Sequence, residues 1–175
     1  MKAAIRLLIL CIGLFLICPS CTYKLSLSGA SIPAAMKTIR VDFFENNAQL
    51  VVNTLSTQFT EALKDRIRTT TSLSIVRSEE ADGVMSGSIT DYNIAPVSVQ
   101  ANSNPNVAPI AGASQLTITV SVKYVNNLDK KNNFEQSFTK SLPFSGDINA
   151  QEQTLIIAIN KQLTEDIFNK AFANW

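Results

Sequence analysis

A chain of 175 residues with 15 basic and 14 acidic side chains suits one ordinary domain and leaves no electrostatic footprint for nucleic acid. It has no histidine, and its three cysteines all lie at or before position 21. That excludes cysteine nucleophiles, Ser-His-Asp chemistry, Cys/His zinc sites and imidazole acid–base catalysis beyond Cys21, leaving only a carboxylate mechanism to weigh.

The chain opens on a targeting segment. Lys2 and Arg6 form a positive n-region, and Leu7 to Ile17 follow without charge. At about 1.5 Å per residue such a run falls well short of a roughly 30 Å hydrocarbon core, but it suits a secretory h-region. Cys18-Pro19-Ser20-Cys21 then gives the order of a lipoprotein signal: apolar run, small residue, cysteine. A cysteine thiolate can take a diacylglycerol as a thioether, and the amine freed by cleavage can take a further acyl chain such as palmitate. Each buried CH₂ contributes about 0.8 kcal/mol, and stable anchoring takes two chains. Cleavage before Cys18 would leave the bulky Ile17 at the junction, so Cys21 is the expected lipid attachment. A plain secretory signal with incidental cysteines is the competing reading.

The expected organisation is a signal peptide over 1–20, a lipidated tether over 21–37 and a single domain over 38–175. Without Lys2 and Arg6 the mature chain carries 13 basic and 14 acidic residues, a net charge of −1.

Ile39 to Phe44 reads as a strand with Ile39, Val41 and Phe43 on one face, ended by the polar Glu45-Asn46-Asn47. A helix follows, capped by Asn53 or Thr54. Its stripe is Leu55, Phe59, Leu63 and Ile67, and Glu61–Lys64 and Asp65–Arg68 are favourable pairs at i,i+3. Leu73 to Arg77 is a second strand, and a helical crossover of this length permits parallel pairing with the first. Val84 to Val99 is extended, with Gly87 at a bulge or close crossing and Asp91 at a sheet edge.

Gln100 to Ser114 carries no charge and two prolines, and reads as a long loop. Leu116 to Tyr124 alternates cleanly, and a polar turn over 126–133 joins it to Phe134–Leu142 as an antiparallel hairpin. From about Asn149 or Ala150, Leu155, Ile156, Ile159, Leu163, Ile167 and Ala171 form a second helical stripe, widened by Phe168 and Phe172. The sum is an α+β two-layer sandwich: a mixed four- to five-stranded sheet with two amphipathic helices on one face.

Little in this chain resembles a catalytic site. Glu79, Glu80 and Asp82 form an acidic turn that reads as solvated. No two glycines have a phosphate-loop spacing. No Asp/Glu pair announces the facing carboxylates a hydrolase would need. Lys130 and Lys131 at the hairpin tip, with Lys123 and Lys140 on the flanking strands, make a candidate basic patch for a phosphorylated lipid headgroup, against a bland reading as a charged, hydrated tip. The uncharged loop 100–114 is either a surface excursion or a partner contact.

Taken in order, several segments resemble the lipopolysaccharide-assembly lipoprotein family LptE in its Bacteroidetes-type form. They are Ser28-Gly29-Ala30-Ser31-Ile32, Thr38-Ile39, Phe43-Phe44-Glu45-Asn46, Leu55 to Arg66, Gly87 to Tyr92, Asp166-Ile167-Phe168-Asn169 and Asn174-Trp175. The resemblance covers nearly the whole mature chain, and it implies a non-enzymatic α/β domain at the periplasmic face of the outer membrane. It also implies a partner, the large β-barrel LptD, whose lumen the domain plugs while lipopolysaccharide passes to the outer leaflet. No cofactor is expected beyond the covalent acyl chains on Cys21. No family motif for lipopolysaccharide contact maps onto the chain, so Lys130 and Lys131 rest on their charge alone. Loop 100–114 and the 126–133 tip are the expected barrel contacts. After Cys21 come Thr22-Tyr23-Lys24, with neither an acidic export stretch nor Asp, which fits the inner leaflet of the outer membrane. The alternative is a free-standing envelope lipoprotein that binds lipid or protein without a barrel.

Overall fold

The computed structural model describes residues 32–50, 52–100 and 110–173. The signal peptide, Cys21, most of the tether and Trp175 lie outside them. The described elements are β1 (Thr38–Val41), β2 (Glu45–Asn46), α1 (Leu55–Thr70), β3 (Ser74–Ile75), β4 (Gly83–Gln100), β5 (Ile110–Asn126), β6 (Phe134–Phe144) and α2 (Glu152–Phe172). A 3₁₀ turn over Lys130–Asn132 sits between β5 and β6.

The sheet runs β3-β1-β4-β5-β6, with β2 beside β4 in line with β1. β1 pairs parallel with β3 and with β4, as the long helical crossover permits. β4, β5 and β6 are antiparallel neighbours. Six strands are described where the sequence suggested four or five, because Glu45-Asn46 pairs with Ser88-Ile89 instead of simply ending the first strand.

Both helices lie on one face of this mixed sheet and pack with each other in parallel, as Gln58–Gln153 (3.2 Å) and Arg66–Glu165 (3.2 Å) mark out. Leu55, Phe59, Leu63 and Ile67 of α1 are all fully buried, as are Ile156, Ile159, Leu163 and Ile167 of α2 to within 1%. They meet the inward residues of the sheet, Met85 and Ile89 from β4 and Leu116, Ile118, Val120 and Val122 from β5. Each such side chain contributes about 1.5–3 kcal/mol of burial. Glu61–Lys64 (2.8 Å) and Asp65–Arg68 (2.7 Å) form the expected i,i+3 pairs on the solvent side.

The first strand departs from its expected parity. Ile39 and Val41 are buried, but Phe43 is 56% exposed and Phe44 fully buried. The chain leaves strand geometry between Val41 and Glu45, and that break shifts the alternation by one residue. Phe44 then lies over Gly87, where the space a Cβ would take is filled by the Phe44 ring and the Ser121 carbonyl. Gly87 is therefore a close crossing; the bulge comes three residues later, between Ile89 and Asp91. Beyond Ile89 the described elements leave β4 with β5 on one side only, so Asp91 does stand at an edge.

The expected loop 100–114 is shorter than the sequence suggested. Gln100 still pairs with Ile110, and Ile110 to Ser114 belong to β5. The antiparallel ladder of β4 and β5 runs out to that pair; residues 101–109 lie outside the described residues. α2 begins at Glu152, two or three residues late, because the preceding turn is held otherwise: Asp147 accepts from the Asn149 N–H (3.0 Å) and the Gln151 side-chain amide donates to the Ser145 carbonyl (2.8 Å).

Candidate functional site

The strand directions give the domain two ends. At the first, Met36 reaches the core just before β1, beside Gly83, and accepts a weak hydrogen bond from the Tyr124 hydroxyl at 3.8 Å. Gly83 pairs with Asn126, so the 126–133 turn sits at this end too, as do the C-termini of both parallel helices. We call it the tether end. At the second, the ribbon end, β4 and β5 continue past the last β6 pairing, Ser114–Phe144.

Asp82 fastens the tether end. Its Oδ2 accepts from the backbone N–H of Lys37 (2.8 Å) and Thr38 (2.9 Å) and from the Thr38 hydroxyl (2.9 Å), while its own N–H donates to that hydroxyl oxygen (3.0 Å). The Lys37 N–H, then the Thr38 N–H and hydroxyl, hold this carboxyl below the usual carboxylate range. The acidic turn therefore disperses instead of clustering: Asp82 clasps the chain, Glu79 pairs with Arg40 at 2.9 Å, and Glu80 stays exposed. Asp42 is also drawn to Arg40, at 3.0 Å.

The hairpin tip is a built turn. Asn126, only 2% exposed, accepts from the N–H of Leu128 and Asp129 (both 2.9 Å), and Asn133 accepts from the Asn126 N–H at 2.7 Å. Asp129 caps the 3₁₀ turn by accepting from the Lys131 N–H at 3.1 Å. Lys130 and Lys131 are thereby held outward and exposed.

Of the four lysines grouped by sequence, Lys123 and Lys140 do not join this patch. Lys140 pairs with Ile118, six positions along β5 from the Tyr124–Phe134 pair, and reaches Asp166 of α2 at 2.8 Å. Lys123 leans towards Glu135, at 3.9 Å. What accompanies Lys131 instead is Lys170 from the last turn of α2. The two line a cavity of about 490 Å³ with Asn132, Asn133, Phe134 and Asn169. Lys170 lies 6.0 Å from the centre of the Phe134 ring. Sequence spacing could not join a strand turn to a helix end 39 positions later; only the shared tether end does. Two ammonium groups and three side-chain amides with an aromatic wall can hold a phosphate or sugar phosphate.

At the ribbon end, Tyr92 donates to Glu152 at 2.7 Å, fixing β4 to the first turn of α2. Burial, then that carboxylate, push the Tyr92 phenol far above its usual value. Burial alone pushes Tyr124 up to about 12. Both are structural groups, locked protonated. Among the described residues no cluster of three His, Cys, Asp or Glu side chains could hold a metal ion, and no helix is long and apolar enough to cross a membrane.

The class these elements define is a two-layer α+β domain with parallel helices on one face of a mixed sheet. Residues 36–171 match the family model LptE, described as lipopolysaccharide-assembly, and the chain belongs to that family. The family is a non-enzymatic one of envelope lipoproteins acting in lipopolysaccharide assembly. No curated protein matches the chain by sequence. Among solved structures it is similar to a hypothetical protein from Chlamydia trachomatis, with a TM-score of 0.53 and 10% identity over 80% of this chain and 100% of that one. It is also similar to an uncharacterized lipoprotein B from Nitrosomonas europaea, with a TM-score of 0.49 and 16% identity over 79% and 82% of the two chains. At 10% identity the likeness to the Chlamydia trachomatis protein is one of fold alone.

Proposed function

We propose that this chain is an outer-membrane lipoprotein that partners an LptD-type β-barrel, plugs its lumen and helps lipopolysaccharide reach the outer leaflet, with no catalysis of its own. Membership of the lipopolysaccharide-assembly family over residues 36–171 carries the reading. Residues 1–20 are its signal peptide, residues 21–37 its tether and residues 38–175 its single domain. Cys21 carries the diacylglycerol and the N-linked acyl chain that hold it to the periplasmic leaflet.

The two ends then have different tasks. Ile32 follows Cys21 by eleven residues, a reach of at most about 40 Å, so the tether end stays near the anchoring leaflet. There the Lys131–Lys170 cavity, with Lys130 beside it, is the contact for lipopolysaccharide phosphate. The ribbon end lies 17 strand residues away along β5, about 55 Å, and it is the end that reaches into the barrel. Between Tyr92 and Val122 the sequence has no charged side chain, which suits burial in a polar lumen where an unpaired ion would cost several kcal/mol.

The test is purification of the lipidated chain from envelopes in mild detergent, with the bound proteins identified by mass. A large outer-membrane barrel is the expected partner. Recovery of the chain with lipid and no barrel would favour a free-standing lipid-binding lipoprotein.

A further inference from the structure

The sheet edge at β3 lies across the whole sheet from β6 and the hairpin tip. The N–H groups of Ser74 and Val76 donate to the carbonyls of Lys37 (2.8 Å) and Ile39 (2.9 Å), which fixes the way this edge faces. Ile75 stands in register with Ile39 and packs on the core beneath the helices. Strand alternation carries Arg77, two residues on, to the same side. There it faces Lys64 and Arg68, one turn apart on α1, and the three cations line a cavity of about 210 Å³ with Val41, Ile75 and Val76.

No carboxylate lines this cavity. Glu61 and Asp65 hold Lys64 (2.8 Å) and Arg68 (2.7 Å) along the helix. Arg77 has no ion pair among the described residues. Asp42 and Glu79, close to Val41 and Arg77 in sequence, are both taken by Arg40, at 3.0 and 2.9 Å. Three cations against two carboxylates leave one positive charge over, that of Arg77. Like charges at i,i+4, as Lys64 and Arg68 are, disfavour a helix, and a third cation on the same cavity adds to the repulsion. An anion between them turns all three terms into attractions.

We propose that this cavity binds a phosphomonoester, its phosphate held by Arg77, Arg68 and Lys64 and its short organic group laid on Val41, Ile75 and Val76. A dianion answers three cations better than a carboxylate would, and a guanidinium fork matches two phosphate oxygens at once. The volume equals that of about seven water molecules, enough for a phosphate and a short ester chain. The shared chemistry is that of a glycerol phosphate, free in solution or at the head of a phosphatidic acid. The site is separate from the Lys131–Lys170 cavity and does not depend on the barrel partnership.

The experiment titrates the full, lipidated chain in detergent micelles with glycerol 3-phosphate, followed by calorimetry. Lys131→Ala with Lys170→Ala is the background throughout, so that the other cavity does not report. This background is expected to bind, and absence of binding overturns the proposal. Adding Arg77→Gln should weaken binding at least about tenfold, as loss of a charge-assisted pair does. Arg77 is exposed, so the variant should melt with the background in circular dichroism. Arg68→Gln, on the other wall, should weaken binding as well, which keeps the test independent of one variant's folding. Lys161→Gln, on the exposed side of α2, should stay within about twofold. Undiminished binding by both arginine variants overturns the site, and so does equal weakening by Lys161→Gln, which would mean overall charge alone. Repeating the titration with phosphatidic acid in the same micelles separates the sources. Arg77-dependent binding of glycerol 3-phosphate alone supports a soluble ligand, and Arg77-dependent binding of the lipid supports a headgroup.

Discussion

Gly87→Ala adds one methyl group where the backbone has no left-handed strain to relieve, so its effect is one of space. The new Cβ would overlap the Ser121 carbonyl oxygen and lie 2.6 Å from Phe44 Cε1. Neither neighbour can move away cheaply. Ser121 is held on both sides, opposite Ser88 in β4 and Ser137 in β6. Phe44 is fully buried, its ring edge-on to Phe59 at 5.1 Å, and its N–H donates to the Thr60 hydroxyl at 3.1 Å. Overpacking of this kind costs about 3 kcal/mol, and the entropy that alanine removes from the unfolded chain returns less than about 1 kcal/mol. A net loss of about 2 kcal/mol, with a urea slope near 2 kcal/mol/M, lowers the unfolding midpoint by about 1 M. Urea unfolding followed by far-ultraviolet circular dichroism measures it. Gly146→Ala is the instructive contrast, since Gly146 has φ +80° and nothing within 4 Å, and it should lose about 1 kcal/mol through backbone conformation. If Gly87→Ala unfolds at the parent midpoint, the close approach of Phe44 and Ser121 to β4 is wrong.

Asp82→Asn should lower the melting temperature at pH 7, and its gap to the parent should close as pH falls through the lowered folded pKa. The folded carboxyl lies below its unfolded value, so its contribution is complete above about pH 4 and disappears as pH falls through the folded pKa; a gap that persists at low pH would mean the clasp works through shape alone. Cys21→Ser should abolish incorporation of labelled palmitate and leave a longer, unprocessed chain; continued labelling would move the anchor elsewhere. Lys131→Ala and Lys170→Ala should each weaken lipopolysaccharide binding by up to about fivefold, and salt should erase the difference. Full binding by the double variant would remove the cavity from the function.

The sequence patterns that survive unchanged are those set by local periodicity. The stripes of α1 and α2, the i,i+3 ion pairs and the alternation of Leu116 to Tyr124 each follow from one element's geometry; the structure buries the alternating strand residues and the stripes, Leu155 and Ala171 only in part, and leaves the ion pairs on the solvent side. What local patterns could not give was anything decided between distant segments. Phe43 and Phe44 are chemically the same, and the break in the strand between Val41 and Glu45 turns Phe44 inward, into the space left by Gly87, 43 positions later, and against Phe59. Lys170 joins Lys131 through the parallel course of the helices, which no spacing encodes. The prolines of loop 100–114 suggested a break, yet β4 and β5 continue pairing to Gln100 and Ile110 because their hydrogen-bond ladder outlasts the covered sheet.

That extension of the ladder also bears on how a charge-free ribbon can exist in an aqueous compartment. Past Ile89 the outer edge of β4 faces no described strand, and a long neutral edge invites pairing with another chain. Three features blunt it: the bulge at Thr90, the carboxylate of Asp91 and Pro96, which offers no N–H. The other exposed edge, β6, carries Glu135, Lys140 and Pro143. Pairing is thus discouraged along β6 and along the open stretch of β4.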